Sequence, residues 1–198
     1  MASFVRGSRS PIADSTPRAP RVGVSRCLLG ERVRWDGGHR RERFVVEELA
    51  RRVELVAVCP ELELGLGVPR EPIELRHGEK GGLRLVTRER GLDLTHRMDR
   101  WALARVEQLR GLGLCGFVLK AGSPSCGRVG VEVWHADGAP RAEGEGRFAR
   151  ALARSWPELP VEEELRLRDP ALRRRWLAQV LALHRRQTAD GARASGRR

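Results

Sequence analysis

The stretch LCGFVLKAGSPSCG, residues 114–127, joins an apolar run to a tight loop that ends in a cysteine. LCGFVLK predicts a strand, and the Gly and Pro residues that follow it indicate a turn. Two earlier segments also combine an apolar run with a cysteine near its end: VGVSRCLLG, residues 22–30, and VELVAVCPE, residues 53–61. Small, apolar, β-branched runs of this length are typical of strands that are buried on both faces of a parallel sheet.

Two segments whose apolar residues have helical spacing separate these three predicted strands. Apolar residues recur at helical intervals over residues 41–52 and again from Thr95 to Gly111, where Met98, Ala102 and Val106 form one face. The order strand, helix, strand, helix, strand predicts an α/β fold with a mainly parallel sheet and right-handed crossovers.

The chain of 198 residues is long enough for one core, and its ends differ in composition from its middle. We predict a disordered arm over residues 1–20, one domain over 21–160, and a basic helical extension with a disordered tail over 161–198. Of the net charge of +12, little lies in residues 22–165, which carry 24 basic and 23 acidic side chains. RNA contact is therefore an open alternative for the basic tail alone.

No apolar stretch reaches the roughly 20 residues that span a bilayer, and the N-terminal residues lack the apolar core of a signal peptide. We therefore expect a cytoplasmic protein that does not enter a membrane. In that reducing compartment its four cysteines are expected to be free thiols or metal ligands. The sequence indicates no oligomeric state.

Three of the cysteines follow predicted strands. Cys27, Cys59 and Cys126 each lie at or just beyond the carboxyl end of one strand, whereas Cys115 lies at the start of its strand. Carboxyl ends of parallel strands form the edge where open sheets bind ligands, so the three thiols are expected to meet there. Cys115 is expected to be a buried apolar thiol at the other end.

Three thiolates are soft donors that suit zinc or an iron-sulfur cluster, and either group would keep one coordination position open. The spacing does not choose between the two. The chain has no CxxC pair, and the positions of His39, His77, His96 and His135 indicate no fourth zinc ligand.

Three motifs closely resemble the thiouracil desulfurase family, also known as domain of unknown function 523. They are SRCLLGERVRWDGGH (25–39), VCPELELGLGVPREP (58–72) and LKAGSPSCG (119–127), and the resemblance covers roughly residues 20–155. It implies a Rossmann-like three-layer fold and a 4Fe-4S cluster held by Cys27, Cys59 and Cys126. It also implies non-redox removal of sulfur from a thiolated uracil, nucleoside or nucleotide, which yields the uracil derivative and hydrosulfide.

The same motifs supply candidate catalytic residues. Glu61 is expected to accept and donate the proton of the attacking water, and Ser123 to hydrogen-bond the base or that water. Asp36 is the competing acid or base. Glu61 could instead form a cap or a salt bridge, and Asp36 could simply shape a turn. The residues expected to bind substrate or to offset the charge of the cluster are Lys120, Arg70 and Ser125.

Other functions stay open at this point. The family contains longer relatives associated with thiolated uridine in RNA, so desulfidation of 4-thiouridine in tRNA is one alternative. A zinc-dependent hydrolase on the same cysteines and a non-catalytic RNA-binding module are two others. Two residues depart from the family pattern: Trp35 stands where Tyr is common, and Arg26 stands where a small residue is usual.

Overall fold

The structure is a computed structural model that describes residues 19–78 and 81–195. The predicted N-terminal arm therefore lies outside the described residues, except for its last two positions. Eight strands and four α-helices follow one another along the described chain. The strands are β1 (Arg21–Ser25), β2 (Glu54–Val58), β3 (Ile73–His77), β4 (Leu83–Thr87), β5 (Leu114–Leu119), β6 (Val131–Trp134), β7 (Pro140–Gly144) and β8 (Val161–Glu163).

The strands form two four-stranded sheets. Sheet A has the order β2-β1-β5-β8 and all its pairs are parallel. Its central strand β5 is buried along its whole length, as the apolar run at 114–119 predicts. The predicted α/β fold with a parallel sheet is thus confirmed.

Sheet B has the order β4-β3-β6-β7 and mixes parallel and antiparallel pairs. The sequence indicates only its parts, a hairpin or strand over residues 84–95 and a half-exposed strand over 129–134. Their assembly into a second sheet depends on the pairing of β3 with β6, which lie more than 50 residues apart and share no local signal. Sheet B has its own apolar cluster, which includes Leu75, Leu85 and Val133.

The helices are α1 (Pro60–Glu63), α2 (Thr95–Gly111), α3 (Arg147–Ser155) and α4 (Pro170–Ser195). Helices α2 and α3 pack in one apolar cluster with Phe117 of β5, whereas α4 contributes Trp176 and Val180 to a second cluster with residues of β1 and β5. Gly116 allows the approach of α4, because a Cβ there would lie 2.7 Å from the Val180 side chain. Within the residues that the structure describes, no helix is both long and apolar enough to cross a membrane.

Two segments differ from the sequence-based expectation. The helix predicted over 41–52 is a π-helical turn, Phe44–Glu48, followed by a 3-10 turn, Leu49–Arg51. The amide of Leu49 bonds to the carbonyls of both Phe44 and Val45, which widens the turn and buries all three side chains. In addition, α4 continues to Ser195, into the stretch for which the sequence indicates disorder.

Candidate active site

A cavity of about 280 Å³ lies where the carboxyl ends of β1, β2 and β5 face strands β3 and β6 of sheet B. Cys27, Cys59 and Cys126 all line it. The structure thus brings together the three cysteines that the sequence places after three different strands. Cys115 is fully buried elsewhere, with its sulfur 3.2 Å from the Gln187 side-chain oxygen.

Cys27 is positioned by a tight turn after β1. The 3-10 turn Arg26–Leu29 ends at Gly30, whose φ of 93° lies in the left-handed region that favours glycine. The carbonyl of Cys27 accepts hydrogen bonds from the amides of Gly30 at 3.3 Å and Arg40 at 2.9 Å. These bonds attach the loop that contains Trp35 and Asp36 to the residue that presents the thiol.

Cys59 lies between β2 and the short helix α1, where Pro60 occupies the first helical turn. Its amide donates to the Glu63 carboxylate at 3.1 Å, and the amide of Glu63 donates back to the Cys59 carbonyl at 2.9 Å. This reciprocal pair of bonds fixes the backbone of Cys59 at the start of the helix. The thiol lies 3.9 Å from the carbonyl of Val33.

Cys126 is held by its own loop and by the start of α3. The Ser123 hydroxyl oxygen accepts the amides of Ser125 at 3.2 Å and Cys126 at 3.1 Å. The amide of Gly146 donates to the carbonyl of Gly127 at 2.7 Å. Because the Ser123 oxygen already accepts two bonds, its O–H is the part of the group that remains to donate to a ligand in the cavity.

Burial governs the protonation of the three thiols. It raises the pKa of Cys27 to about 11, with a further contribution from Cys59 and an opposing one from Lys120 and Arg34. Burial also raises the pKa of Cys59, and that of Cys126 well above its ordinary value. Three neutral thiols in one cavity need a bound cationic centre to become thiolates.

The arrangement of donors fits a multi-iron cluster better than a single ion. Tetrahedral zinc with bonds of about 2.3 Å would draw its sulfur ligands to about 3.8 Å from one another. Among the described residues, no three cysteines have all their sulfurs within 4.8 Å. No histidine of the described chain lines the cavity, and both carboxylate oxygens of Glu61, which does line it, already accept hydrogen bonds from Arg70 and Ser125. In a cluster, by contrast, the cysteines bind different irons and can stand farther apart.

Glu61 lines the same cavity and is held by two partners. Its Oε2 accepts from Arg70 Nε at 3.0 Å and, more closely, from Arg70 Nη2. Its Oε1 accepts from the Ser125 hydroxyl at 3.0 Å. Ser125 is fully buried and lies outside the lining of the cavity, so its hydroxyl contacts Glu61 behind the cavity wall. Glu61 is thus a fixed carboxylate beside the thiols.

Lys120 lines the cavity and is paired with a buried acid. Its Nζ lies 2.7 Å from Glu164 Oε1 and donates to the Ala121 carbonyl at 2.6 Å, while only 3% of the Glu164 side chain is exposed. Basic side chains outnumber acidic ones in the lining, which favours anionic ligands. The basic members are Arg26, Arg34, Arg40, Arg70, Arg88 and Lys120, and the acidic members are Glu61, Glu74 and Glu132.

The model of the 2-thiouracil desulfurase family matches residues 22–164, and this range contains all three motifs. The chain belongs to the 2-thiouracil desulfurase family. A solved structure described as the 4Fe-4S-dependent thiouracil desulfidase TudS is 35% identical with a TM-score of 0.60, and the match covers 77% of this chain and 96% of that one. The uncharacterized protein YbbK of Bacillus subtilis is 32% identical over 109 residues, 52% of this chain and 71% of YbbK.

Asp36 lies apart from the other candidate residues of this desulfurase-family chain. It is exposed, does not line the cavity, and accepts the amide of Gly38 at 2.9 Å. That hydrogen bond is the main cause that lowers the pKa of Asp36, with Arg34 contributing. A carboxylate that bonds the amide two residues onward is typical of a turn-forming residue.

The structure also adds residues to the site that the sequence does not single out. The Ser25 hydroxyl accepts the amide of Lys120 at 3.0 Å and hydrogen-bonds the Cys126 thiol, which partly offsets the effect of burial on its pKa. Its position two residues before Cys27, inside a family motif, is the signal that could have identified it. Glu74 and Trp134 come from sheet B, and no local pattern predicts that they reach this cavity.

Proposed function

We propose that this protein is a 4Fe-4S-dependent, non-redox desulfidase of thiolated uracil nucleotides. The observation that carries the proposal is that three thiols from three strands line one cavity, Cys59 and Cys126 buried and Cys27 half-buried, and that no histidine of the described chain lines it. Membership of the 2-thiouracil desulfurase family and the likeness to TudS support it. Free thiols and an oxygen-sensitive centre suit the reducing cytoplasm, where we propose that the protein acts.

Cys27, Cys59 and Cys126 would hold the cluster. When bound, it supplies a soft Lewis acid that prefers the thiocarbonyl sulfur of the substrate to the oxygen of ordinary uracil. The basic lining around the thiols offsets the negative charge of three thiolates. Lys120 and Arg34 already lie close enough to oppose the rise in the pKa of Cys27.

Glu61 is the proposed general base. It takes a proton from the water whose oxygen attacks the ring carbon, and it returns a proton as the carbon–sulfur bond breaks. Oxygen replaces sulfur at one carbon, so no electron is gained or lost and the products are the oxo base and hydrosulfide. Arg70 and Ser125 position the carboxylate through both of its oxygens.

Ser123 is the proposed hydrogen-bond donor to the substrate or the attacking water. It lines the cavity, and both bonds that its oxygen accepts come from its own loop. The O–H is therefore directed away from the amides of Ser125 and Cys126, as a donor to a carbonyl or a water requires. We assign Asp36 to the turn of its loop and give it no part in the proton transfer.

The lining of the cavity favours a nucleotide over a free base. Arg70 and Lys120 are already bonded to Glu61 and Glu164, whereas Arg40 lines the cavity and forms no ion pair with any described residue. An arginine without a carboxylate partner suits a phosphate group. We therefore propose a uridine monophosphate with a thiolated ring as the preferred substrate.

The test is sulfide release by the anaerobically reconstituted protein from 2-thiouracil, 4-thiouridine, 4-thiouridine monophosphate and a 4-thiouridine-containing RNA. We expect turnover with the monophosphate, and a loss of about 10²–10⁴-fold in kcat for Glu61→Gln with an unchanged iron content. Arg40→Gln should lower kcat/KM for the monophosphate and leave that for thiouracil unchanged. Preference for RNA would overturn the nucleotide assignment, and a colourless, fully active zinc-loaded protein would overturn the cluster.

A further inference from the structure

Sheet B carries a second group of metal-ligand side chains, separate from the three cysteines. His77 is the last residue of β3, His135 follows β6, and Glu143 lies in β7. In the parallel pairing of β3 with β6, Arg76 stands opposite Trp134, so the two histidines come next on neighbouring strands. None of the three residues belongs to the lining of the cysteine cavity.

Their ligand atoms converge on one point. The Glu143 Oε1 lies 2.7 Å from His135 Nε2 and 3.3 Å from His77 Nε2, and all three ligand atoms lie within 4.8 Å of one another. The imidazole ring centroids are 4.4 Å apart. Bonds of 2.0–2.1 Å to a tetrahedral ion place such atoms about 3.3 Å apart. The His77–Glu143 pair already has this spacing, and the His135–Glu143 pair would have to open from 2.7 Å by about 0.6 Å.

The backbone around the group holds two of the ligands in place. The turn after β6 is closed by the amide of His135, which donates to Ala139, and by the amide of Gly138, which donates to His135. The register of β6 with β7 shifts between Val131 and Glu132, and Glu143 falls within this irregularity. Bulges of this kind redirect side chains. His135 is half-buried, whereas His77 and Glu143 are exposed, so the group is open to solvent on their side.

We propose that His77, His135 and Glu143 bind a divalent transition-metal ion, Zn²⁺ by preference, with water in the remaining position. Two imidazoles and one carboxylate are a ligand set that zinc uses, whereas Mg²⁺ and Ca²⁺ favour oxygen ligands alone. The ion would connect β3, β6 and β7. Because Ile73 and Glu74 of β3 and Trp134 of β6 line the cysteine cavity, this site would stabilise one wall of that cavity.

The test uses the cluster-loaded protein, so that iron occupies the cysteines. It is dialysed against micromolar Zn²⁺, and the retained zinc is measured per chain together with the visible absorbance of the cluster. We expect one zinc per chain in the wild type and in His96→Ala, which removes an exposed histidine of α2. We expect at least a tenfold loss of affinity in His77→Ala, His135→Ala and Glu143→Gln.

X-ray absorption at the zinc edge identifies the ligands. A shell of nitrogen and oxygen with imidazole scattering supports the site, whereas a sulfur shell would show that the zinc had entered the cysteines and would overturn it. Zinc at 100 times its dissociation constant should also raise the apparent Tm of the wild type by roughly 5–10 °C and leave that of His77→Ala unchanged. Failure to retain zinc, or equal retention by all three variants, would refute the proposal.

Discussion

Gly146→Ala is expected to prevent cluster loading although it replaces none of the three proposed cysteine ligands. Gly146 precedes α3 with a φ of −63° and a ψ of 145°, a backbone conformation that alanine adopts freely. A Cβ there would, however, lie 2.6 Å from the carbonyl carbon and oxygen of Ser125 and 2.8 Å from the amide nitrogen of Cys126. These are backbone atoms of the Cys126 loop, so no side-chain rotation relieves the clash.

The size of the displacement decides the outcome. Non-bonded carbon atoms pack at about 3.5–4.0 Å, so the loop must move by about 1 Å. Metal sites tolerate changes of about 0.2 Å in ligand distance, and the expected shift exceeds that several-fold. Overpacking of this kind costs about 1–3 kcal/mol of folding free energy. Gly146→Ala should therefore still fold but take up little iron.

The assay is iron and acid-labile sulfide per chain after anaerobic reconstitution, with urea unfolding of the cluster-free protein beside it. Gly111→Ala is the matched control, because that glycine ends α2 with nothing within 4 Å of an added Cβ. The control should load fully and gain about 0.5–1 kcal/mol of stability. Full loading and unchanged unfolding of Gly146→Ala would show that the start of α3 does not hold the Cys126 loop.

Three further predictions test other parts of the structure. Cluster loading, measured as iron per chain, should be abolished in each of Cys27→Ala, Cys59→Ala and Cys126→Ala. The control Cys115→Ala should load normally. A loaded cluster in any of the first three variants would show that the replaced cysteine is not a ligand. Trp176→Ala should lower the free energy of unfolding in urea by about 3–5 kcal/mol, because the indole is buried and donates to the Pro160 carbonyl at 3.1 Å. A small change would mean that the packing of α4 contributes little to stability. Hydrogen bonds from Thr95, helped by Arg84, lower the pKa of Asp93 to about 2, so its contribution is complete above pH 4 and is lost as the pH falls through 2. Asp93→Ala should therefore lower the free energy of unfolding by about 1 kcal/mol at pH 7 after allowance for exposure, and the difference from wild type should shrink as the pH falls from 4 through 2.

The central part of the fold could be predicted because its signals are local. The apolar run of β5 and the helical spacing of α2 lie within short windows, and the predicted bounds of α2 agree with the structure. Sheet B could not be predicted in the same way. It depends on the pairing of β3 with β6, and between them lie β4, α2 and the whole of β5.

The residues of the candidate site differ in the same way, because some have a local sequence signal and others do not. Cys27, Cys59 and Glu61 stand at strand ends, where the rule for parallel sheets places ligands, and all three line the cavity. Asp36 carries the same functional group but faces solvent, because its carboxylate bonds to the neighbouring turn. The contact of Ser125 with Glu61 joins residues 64 positions apart, and no spacing in the sequence indicates it.

The hydrogen bond between Ser125 and Glu61 couples the position of a cysteine loop to the orientation of a carboxylate. Ser125 precedes Cys126 directly in the chain, and its hydroxyl donates to Glu61 at 3.0 Å. Any movement of the loop that shifts the Cys126 sulfur also shifts the donor that orients the carboxylate. Maturation of the enzyme and alignment of Glu61, the base that we propose, would then be a single event, in which binding of the cluster also orients this carboxylate.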